Sequence, residues 1–415
     1  MVYTPADLHS TDMPAGPLLP DPPTVSIVVG DLSRSGAGRW GGAVRPFLLA
    51  QALQKLGCSV KLVGFTFGDQ AAMASTAELE IVTLPGKPYP HFAGSAVQLL
   101  RQLDGDVIYA YKPKPTSFGV ALLSKLLGMG RRRPVLLDID DWELSWHGGD
   151  NWRYRPTPKQ LLRDVLQPNG ALKQPDHPVY LQIMEKLVTQ ATAVTTHTQF
   201  LQQRFGGILV PNGKDTALFD PAHYDRQALK QHYGLADYRV LMFPGAPRPY
   251  KGVEDVLEAI AQLNQPDLRL VIVGGSPYDD YDQTLQQRWG KWMIQLPPLP
   301  HTQMPAAITA ADAIVVPQRN TAAAQAQFPL KLTDGMAMAK PILATRVGDI
   351  PEILGDTGYL ADPSSPAQLA AGIQQIFADP AAATANGLRA RDRCISKYSI
   401  DAMATPLASV LKSCL

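Results

Sequence analysis

Residues Phe328–Ile353 read FPLKLTDGMAMAKPILATRVGDIPEI, and the two halves of this stretch follow different periods. Pro329, whose missing N–H suits the first turn of a helix, is followed by the apolar Leu330, Met336 and Met338, which can face the core. Lys340-Pro341 stops that helix, and Ile342–Asp349 returns as a strand. A helix that feeds straight into a buried strand is half of a βαβ unit and implies parallel pairing. Lys331 and Asp334 lie three apart on one face of the first two turns. The free N–H groups and the helix dipole favour an anion there. Lysine adds a compact charge for phosphate, and a carboxylate one turn further on can accept from two ribose hydroxyls. An exposed i,i+3 ion pair is the competing reading.

The alternation runs outward in both directions. Upstream, the strands TVSIVV, CSVKLVGF, LEIVTLP, DVIYAY, PVLLDID and AVTTHT alternate with helical stretches such as AVRPFLLAQALQKLG and AGSAVQLLRQL. A second series starts at RVLMFPG and continues through GVEDVLEAIAQLN, LRLVIVGG and MPAAITAADAIVVP. The fold class expected is α/β with two similar parallel-sheet domains facing one cleft, since ligands in such sheets sit beyond the carboxyl ends of the strands. Residues 1–23 read as a loose tail, 24–210 as a first domain and 211–395 as a second. A terminal helix follows at about 396–415. The segment from Asp140 to Pro178 carries Trp142, Trp146 and Trp152 and reads as a long irregular, functional loop.

Composition removes several functions. A formal charge of +1 over 415 residues gives no case for nucleic acid binding. Three scattered cysteines lack metal or redox spacing, and eight histidines form no metal motif, so no metal and no cofactor is expected. No apolar run is long enough to cross a membrane and no signal-peptide pattern opens the chain, so a cytoplasmic protein is expected.

The second cation-bearing stretch is FPGAPRPYKGVEDVLEAI, Phe243–Ile260. A strand ends in Pro244-Gly245, a loop carries Arg248 and Lys251, and Gly252 opens a helix. Two cations at the carboxyl end of a strand can clamp a diphosphate and stabilise charge growing on a departing nucleotide. Gly274 and Gly275, ending LRLVIVGG, allow a backbone to come close to a base or ribose, or form a plain turn.

These segments, with ITAADAIVVP and GYLADP, resemble the retaining glycosyltransferases of family 4, of the glycosyl transferases group 1 type, in order and spacing. The resemblance implies the GT-B fold: two Rossmann-like domains, VPNGKDTALFDP as the hinge, and a terminal helix that crosses back onto the first domain. It also implies donor-diphosphate binding by Arg248 and Lys251, reinforced by Lys331 and Leu332, and a ribose contact from Asp334 where the family usually has glutamate. The implied partners are a nucleoside diphosphate sugar and a hydroxyl-bearing acceptor. A nucleotide-sugar-binding scaffold that has lost catalysis is the alternative.

SRSGAGRWGGAVRPFLL, Ser33–Leu49, contains a literal G-x-G-x-x-G. Six residues separate it from the first strand, and the second strand closes without an acid, so a nicotinamide site is rejected. Gly41 and Gly42 are instead expected to approach the donor, as the glycine-rich loop of such transferases does, unless the loop is a plain surface turn. Two departures from the family stand out. The usual acidic residue is Ala326, flanked by Gln325 and Gln327, so Gln327 is the candidate sugar contact. The usual histidine after the fourth strand is replaced by YKPK, with Lys112 and Lys114 as candidates for an acceptor phosphate or a leaving-group screen. In DIDDWELSWHGGDNW, Asp140, Asp141 and Glu143 are candidates to orient or activate the acceptor hydroxyl, Asp141 foremost, and Trp142 and Trp146 offer flat faces for a sugar or lipid. His147 and His197 read as packing residues. GMGRRRP, Gly128–Pro134, reads as a solvated turn or a peripheral contact with anionic lipid.

Overall fold

A computed structural model describes residues 19–33, 36–37, 44–68, 79–128, 133–276 and 279–415. Gly41, Gly42 and two of the three arginines of GMGRRRP lie outside the described residues.

The first sheet holds β1 (Thr24–Val29), β2 (Ser59–Thr66), β3 (Glu80–Pro85), β4 (Val107–Tyr111), β5 (Val135–Ile139), β6 (Ala193–Thr196) and β7 (Ile208–Leu209). The second holds β8 (Arg239–Pro244), β9 (Leu268–Val273), β10 (Met293–Leu296), β11 (Ala313–Val316), β12 (Ile342–Thr345) and β13 (Tyr359–Ala361). All pairings are parallel, and the orders are β3-β2-β1-β4-β5-β6-β7 and β10-β9-β8-β11-β12-β13. Each sheet therefore repeats one doubly wound order, with a switch point beside its first strand, β1 or β8. The near-continuous apolar runs of β1, β4, β5, β8 and β9 follow from burial on both faces.

The terminal helix Ile400–Cys414 packs on the first domain, sharing a core with the helix Arg45–Lys55 through Leu407, Leu411, Phe47 and Leu53. Two crossings between the domains run side by side. Lys214 N–H donates to Tyr398 O at 2.7 Å, and Ile400 N–H donates to Lys214 O at 3.1 Å. A side chain at Gly213 would meet Ile400 Cα at 2.9 Å, so the two strands can lie this close only with glycine.

Three expectations need correction. The segment Asp140–Pro178 is not structureless: it contains the α-helix Pro158–Leu166 and short 3-10 turns at Glu143–His147 and Gly149–Asn151. The tail does not run to residue 23, because Leu19 is buried in the first core and its N–H donates to Leu56 O at 3.2 Å. Pro329 caps the helix Leu330–Ala337 rather than standing inside its first turn.

One buried ion pair ties the first domain together. Arg45 Nε and Nη2 donate to the two carboxylate oxygens of Asp138 at 2.9 and 2.8 Å, and Nη1 donates to Val210 O and Asn212 Oδ1. Thr195 also donates to Asp138 at 2.6 Å. Both charges are fully buried, so removing one leaves the other uncompensated. Asp138→Asn is expected to cost about 3–5 kcal/mol, read as a lower urea midpoint for the first-domain transition.

Candidate functional site

The side expected to hold the donor is built where β8 ends. Gly245 has φ +129° and Gly252 has φ +67°, the left-handed region that favours glycine. A Cβ on Gly252 would also sit 1.9 Å from Pro317 O, so the loop can turn here only with glycine. Between them, Arg248 Nη1 lies 3.4 Å from Asp279 Oδ2, and Lys251 Nζ donates to Ala246 O at 2.9 Å. Lys331, from the first turn of Leu330–Ala337, brings its Nζ to 4.8 Å over the Phe243 ring. A Cβ on Gly274 would lie 3.8 Å from Gly245 C, so the ends of β8 and β9 meet over the same crevice.

Lys251 feels both other cations. Burial, then the charges of Lys331 and Arg248, hold the Lys251 ammonium well below the usual lysine range. Burial brings Lys331 down to about 8, with Asp334 opposing. Neither lysine has a salt-bridge carboxylate among the described residues. Leu332 does not face this crevice. Its side chain is fully buried in the second core and its N–H donates to Pro329 O at 2.8 Å, so it packs the helix rather than touching a donor. Asp334 is ion-paired with Lys214 of the hinge, whose ammonium also lies 4.1 Å over the Phe219 ring. Gly275 closes the turn against Asp282.

The facing side, from the first domain, is a charge cluster. Lys112 Nζ lies 2.6 Å from Glu143 Oε1 and 3.4 Å from Asp140 Oδ1, and Lys114 Nζ lies 2.9 Å from Glu143 Oε2 and 3.8 Å from Asp176 Oδ2. Tyr111 donates to Asp140 at 2.5 Å and Trp146 Nε1 donates to Asp141 at 3.0 Å. Burial pushes Glu143 up, yet Lys112 and Lys114 pull it well below the carboxylate range. Burial raises the Asp141 carboxyl; Lys112 opposes this, and Glu143 and Asp140 add to it. Asp140 and Asp141 each keep one buried oxygen without a hydrogen bond. Four carboxylates thus surround two lysines, and both ammonium groups are already engaged by Glu143.

The two sides touch where Trp146 meets Tyr250 edge-on with ring centroids 5.5 Å apart. Within the second domain, Gln327 Nε2 donates to Tyr250 OH at 3.4 Å. Trp142, by contrast, is buried beneath Arg204, whose guanidinium lies 3.8 Å over the ring, so it offers no sugar platform. His197 is also more than a packing residue. Its Nε2 lies 3.1 Å from Ala326 O in the other domain and its Nδ1 3.3 Å from Asn212 Nδ2, and burial, then Arg45, lowers it to about 4. A neutral ring that donates to Ala326 and accepts from Asn212 satisfies both contacts. The clue in the sequence was its place directly after β6, at a strand's carboxyl end. Ala326 is itself fully buried against the first domain, so the family's acidic position serves here as a domain contact. A cavity of about 1000 Å³ opens on the first domain's flank beside Glu185 and Arg204; none of the donor-side cations lines it.

Residues 238–379 match the family model described as Glycosyl transferases group 1. A GDP-mannose-dependent alpha-(1-6)-phosphatidylinositol monomannoside mannosyltransferase of Mycolicibacterium smegmatis is 26% identical over 250 residues, covering 56% of this chain. The chain spans 65% of that relative's length. Sucrose-phosphate synthase from Thermosynechococcus elongatus superposes with a TM-score of 0.70 at 19% identity, over 94% of this chain and 98% of that one. Anabaena HepE, solved in complex with UDP and glucose, gives 0.68 at 17% identity, over 94% and 100%. These likenesses carry the two-domain α/β GT-B architecture.

The lysine shift has a measurable consequence. A lysine lowered from 10.5 to about 8 is harder to charge in the folded chain than in the unfolded one. The free protein loses stability as pH falls through that value, and regains it towards 10.5. A bound diphosphate favours the charged form and reverses the penalty. At a pH slightly above 8, binding of UDP should therefore take up roughly half a proton or more, measured by calorimetry in buffers of different ionisation enthalpy. Zero linkage would remove Lys331 and Lys251 from the diphosphate site.

Proposed function

We propose, from the match of residues 238–379 to the glycosyl transferases group 1 model and from the GT-B fold, that the chain transfers a sugar from a nucleoside diphosphate sugar to an acceptor hydroxyl. The observation that carries this is the convergence of Arg248, Lys251 and Lys331 at the end of β8, with no carboxylate in salt-bridge range of either lysine among the described residues. A crevice that holds like charges together in a dry setting suits a polyanion. The first turn of Leu330–Ala337 adds the positive end of a helix dipole.

During transfer the glycosidic bond to the β-phosphate breaks and charge grows on the departing diphosphate. Arg248, Lys251 and Lys331 neutralise that charge, which lowers the barrier because they are already in place. Asp334 sits one turn on, placed to accept from ribose while Lys214 fixes its orientation. Gly245 and Gly274 leave room for the nucleoside. The Gln327 amide supplies the polar contact to the sugar that Ala326 cannot. On the acceptor side Trp146 offers an exposed ring, and Asp141, raised by burial, is placed to orient or take the proton of the incoming hydroxyl. Lys112 and Lys114, both held by Glu143, shape that carboxylate cluster rather than receive a phosphate. Retention at the anomeric carbon follows the family resemblance, and the coupling constant of the product's anomeric proton reads it directly.

Lys251→Ala and Arg248→Ala should each lower kcat by about 10²–10³, with the melting temperature little changed, in a panel of UDP-, GDP- and ADP-sugars. A protein that binds one of these donors without transferring or hydrolysing it in a single turnover would instead be the scaffold alternative. Unaltered turnover in both variants would refute the proposed role of the cations.

A further inference from the structure

The helix Pro158–Leu166 is exposed at every residue but Asp164. At 100° per residue Leu161, Val165, Leu162 and Leu166 share a continuous arc of about 140°. All four point to solvent, at 44%, 47%, 61% and 63% exposure. The residue it buries is Asp164, at 5%, which accepts from Tyr154 OH at 2.8 Å and from Arg163 Nε and Nη2 at 3.0 Å each. The helix is deliberately started: Thr157 and Gln160 form a complete capping box, and Lys173 Nζ donates to Leu166 O at its far end. An ordered helix that anchors itself by one buried carboxylate and leaves four apolar side chains in solvent presents a patch that something else must cover.

Charge selects what covers it. Arg153, Arg155, Lys159 and Arg163 are exposed along the same segment, and between Asn151 and Pro175 the one acid is the buried Asp164. A second copy docked face to face would bring these basic rims together, which repels. An anionic bilayer satisfies both features at once, taking the leucines into its interface and the cations against its headgroups. We propose that this helix docks the protein on an anionic membrane surface. The segment leaves from and returns to one place, because Glu143 before it and Asp176 after it both face Lys114. Docking would therefore set the acceptor-side cluster close to the lipid. No helix among the described residues is long and apolar enough to cross a membrane, so the contact is one of surface only.

The test is co-sedimentation of the full chain with phosphatidylcholine vesicles, with and without phosphatidylglycerol. Binding is expected only with phosphatidylglycerol and should weaken with salt. Arg155→Gln and Lys159→Gln should each weaken it about fivefold. Leu162→Gln/Leu166→Gln should weaken it roughly tenfold or more. The shift in melting temperature produced by UDP serves as the control and should be the same in all variants, so that failure here is separable from failure of the transferase reading. Absence of binding to anionic vesicles, or variants that bind like wild type, would overturn the proposal. So would a dimer in sedimentation velocity that the leucine variants dissociate, since that would assign the face to a second copy.

Discussion

The burial of Lys251 beside Lys331 and Arg248 is the constraint on which the proposed chemistry depends. Burial disfavours its ammonium, and the two neighbouring cations disfavour it further. The fold tolerates this because rigid elements hold the groups. Arg248 precedes and Lys251 ends a 3-10 turn fixed by Gly252, and Lys331 stands on a helix whose next residue, Leu332, is locked in the core. A polyanion in the crevice turns the unfavourable arrangement into a favourable one, and the donor's diphosphate is such a group.

The cleft divides its charge. Cations gather on the second domain, and a carboxylate-rich cluster gathers on the first, where Glu143 holds both Lys112 and Lys114. The seam between them is specific. His197 meets Ala326 O, Gln199 N–H donates to Asp349 at 2.8 Å, and Lys214 of the hinge pairs with Asp334 beside the donor crevice. A change in domain angle at the Lys214 segment would therefore act on Asp334, the residue proposed to hold ribose.

Much of this was legible in the sequence, for reasons that can be named. Strands buried on both faces announce themselves as apolar runs, which is why two parallel-sheet halves follow from alternation, whereas the strand order within each sheet does not. Glycines and cations clustered at strand ends mark the place the proposed function gives to the donor, because backbone approach and phosphate chemistry restrict residue type. Other features were hidden. The Pro158–Leu166 helix has its apolar arc on the outside, so its pattern gives no guide to its packing. Burial of Ala326 and Trp142, and the bond from His197 across the seam, depend on contacts between residues more than a hundred positions apart or on a cation stacked from another helix. Leu332 shows the reverse error: position in a motif suggested a contact, and helical geometry sent the side chain into the core.

The most direct measurement is a crystal of the protein soaked with UDP. The account predicts the diphosphate lodged between Arg248, Lys251 and Lys331, with the β-phosphate within hydrogen-bond distance of both lysine Nζ atoms and the ribose near Asp334. A diphosphate bound elsewhere, or an empty crevice at concentrations that saturate the protein in solution, would contradict it.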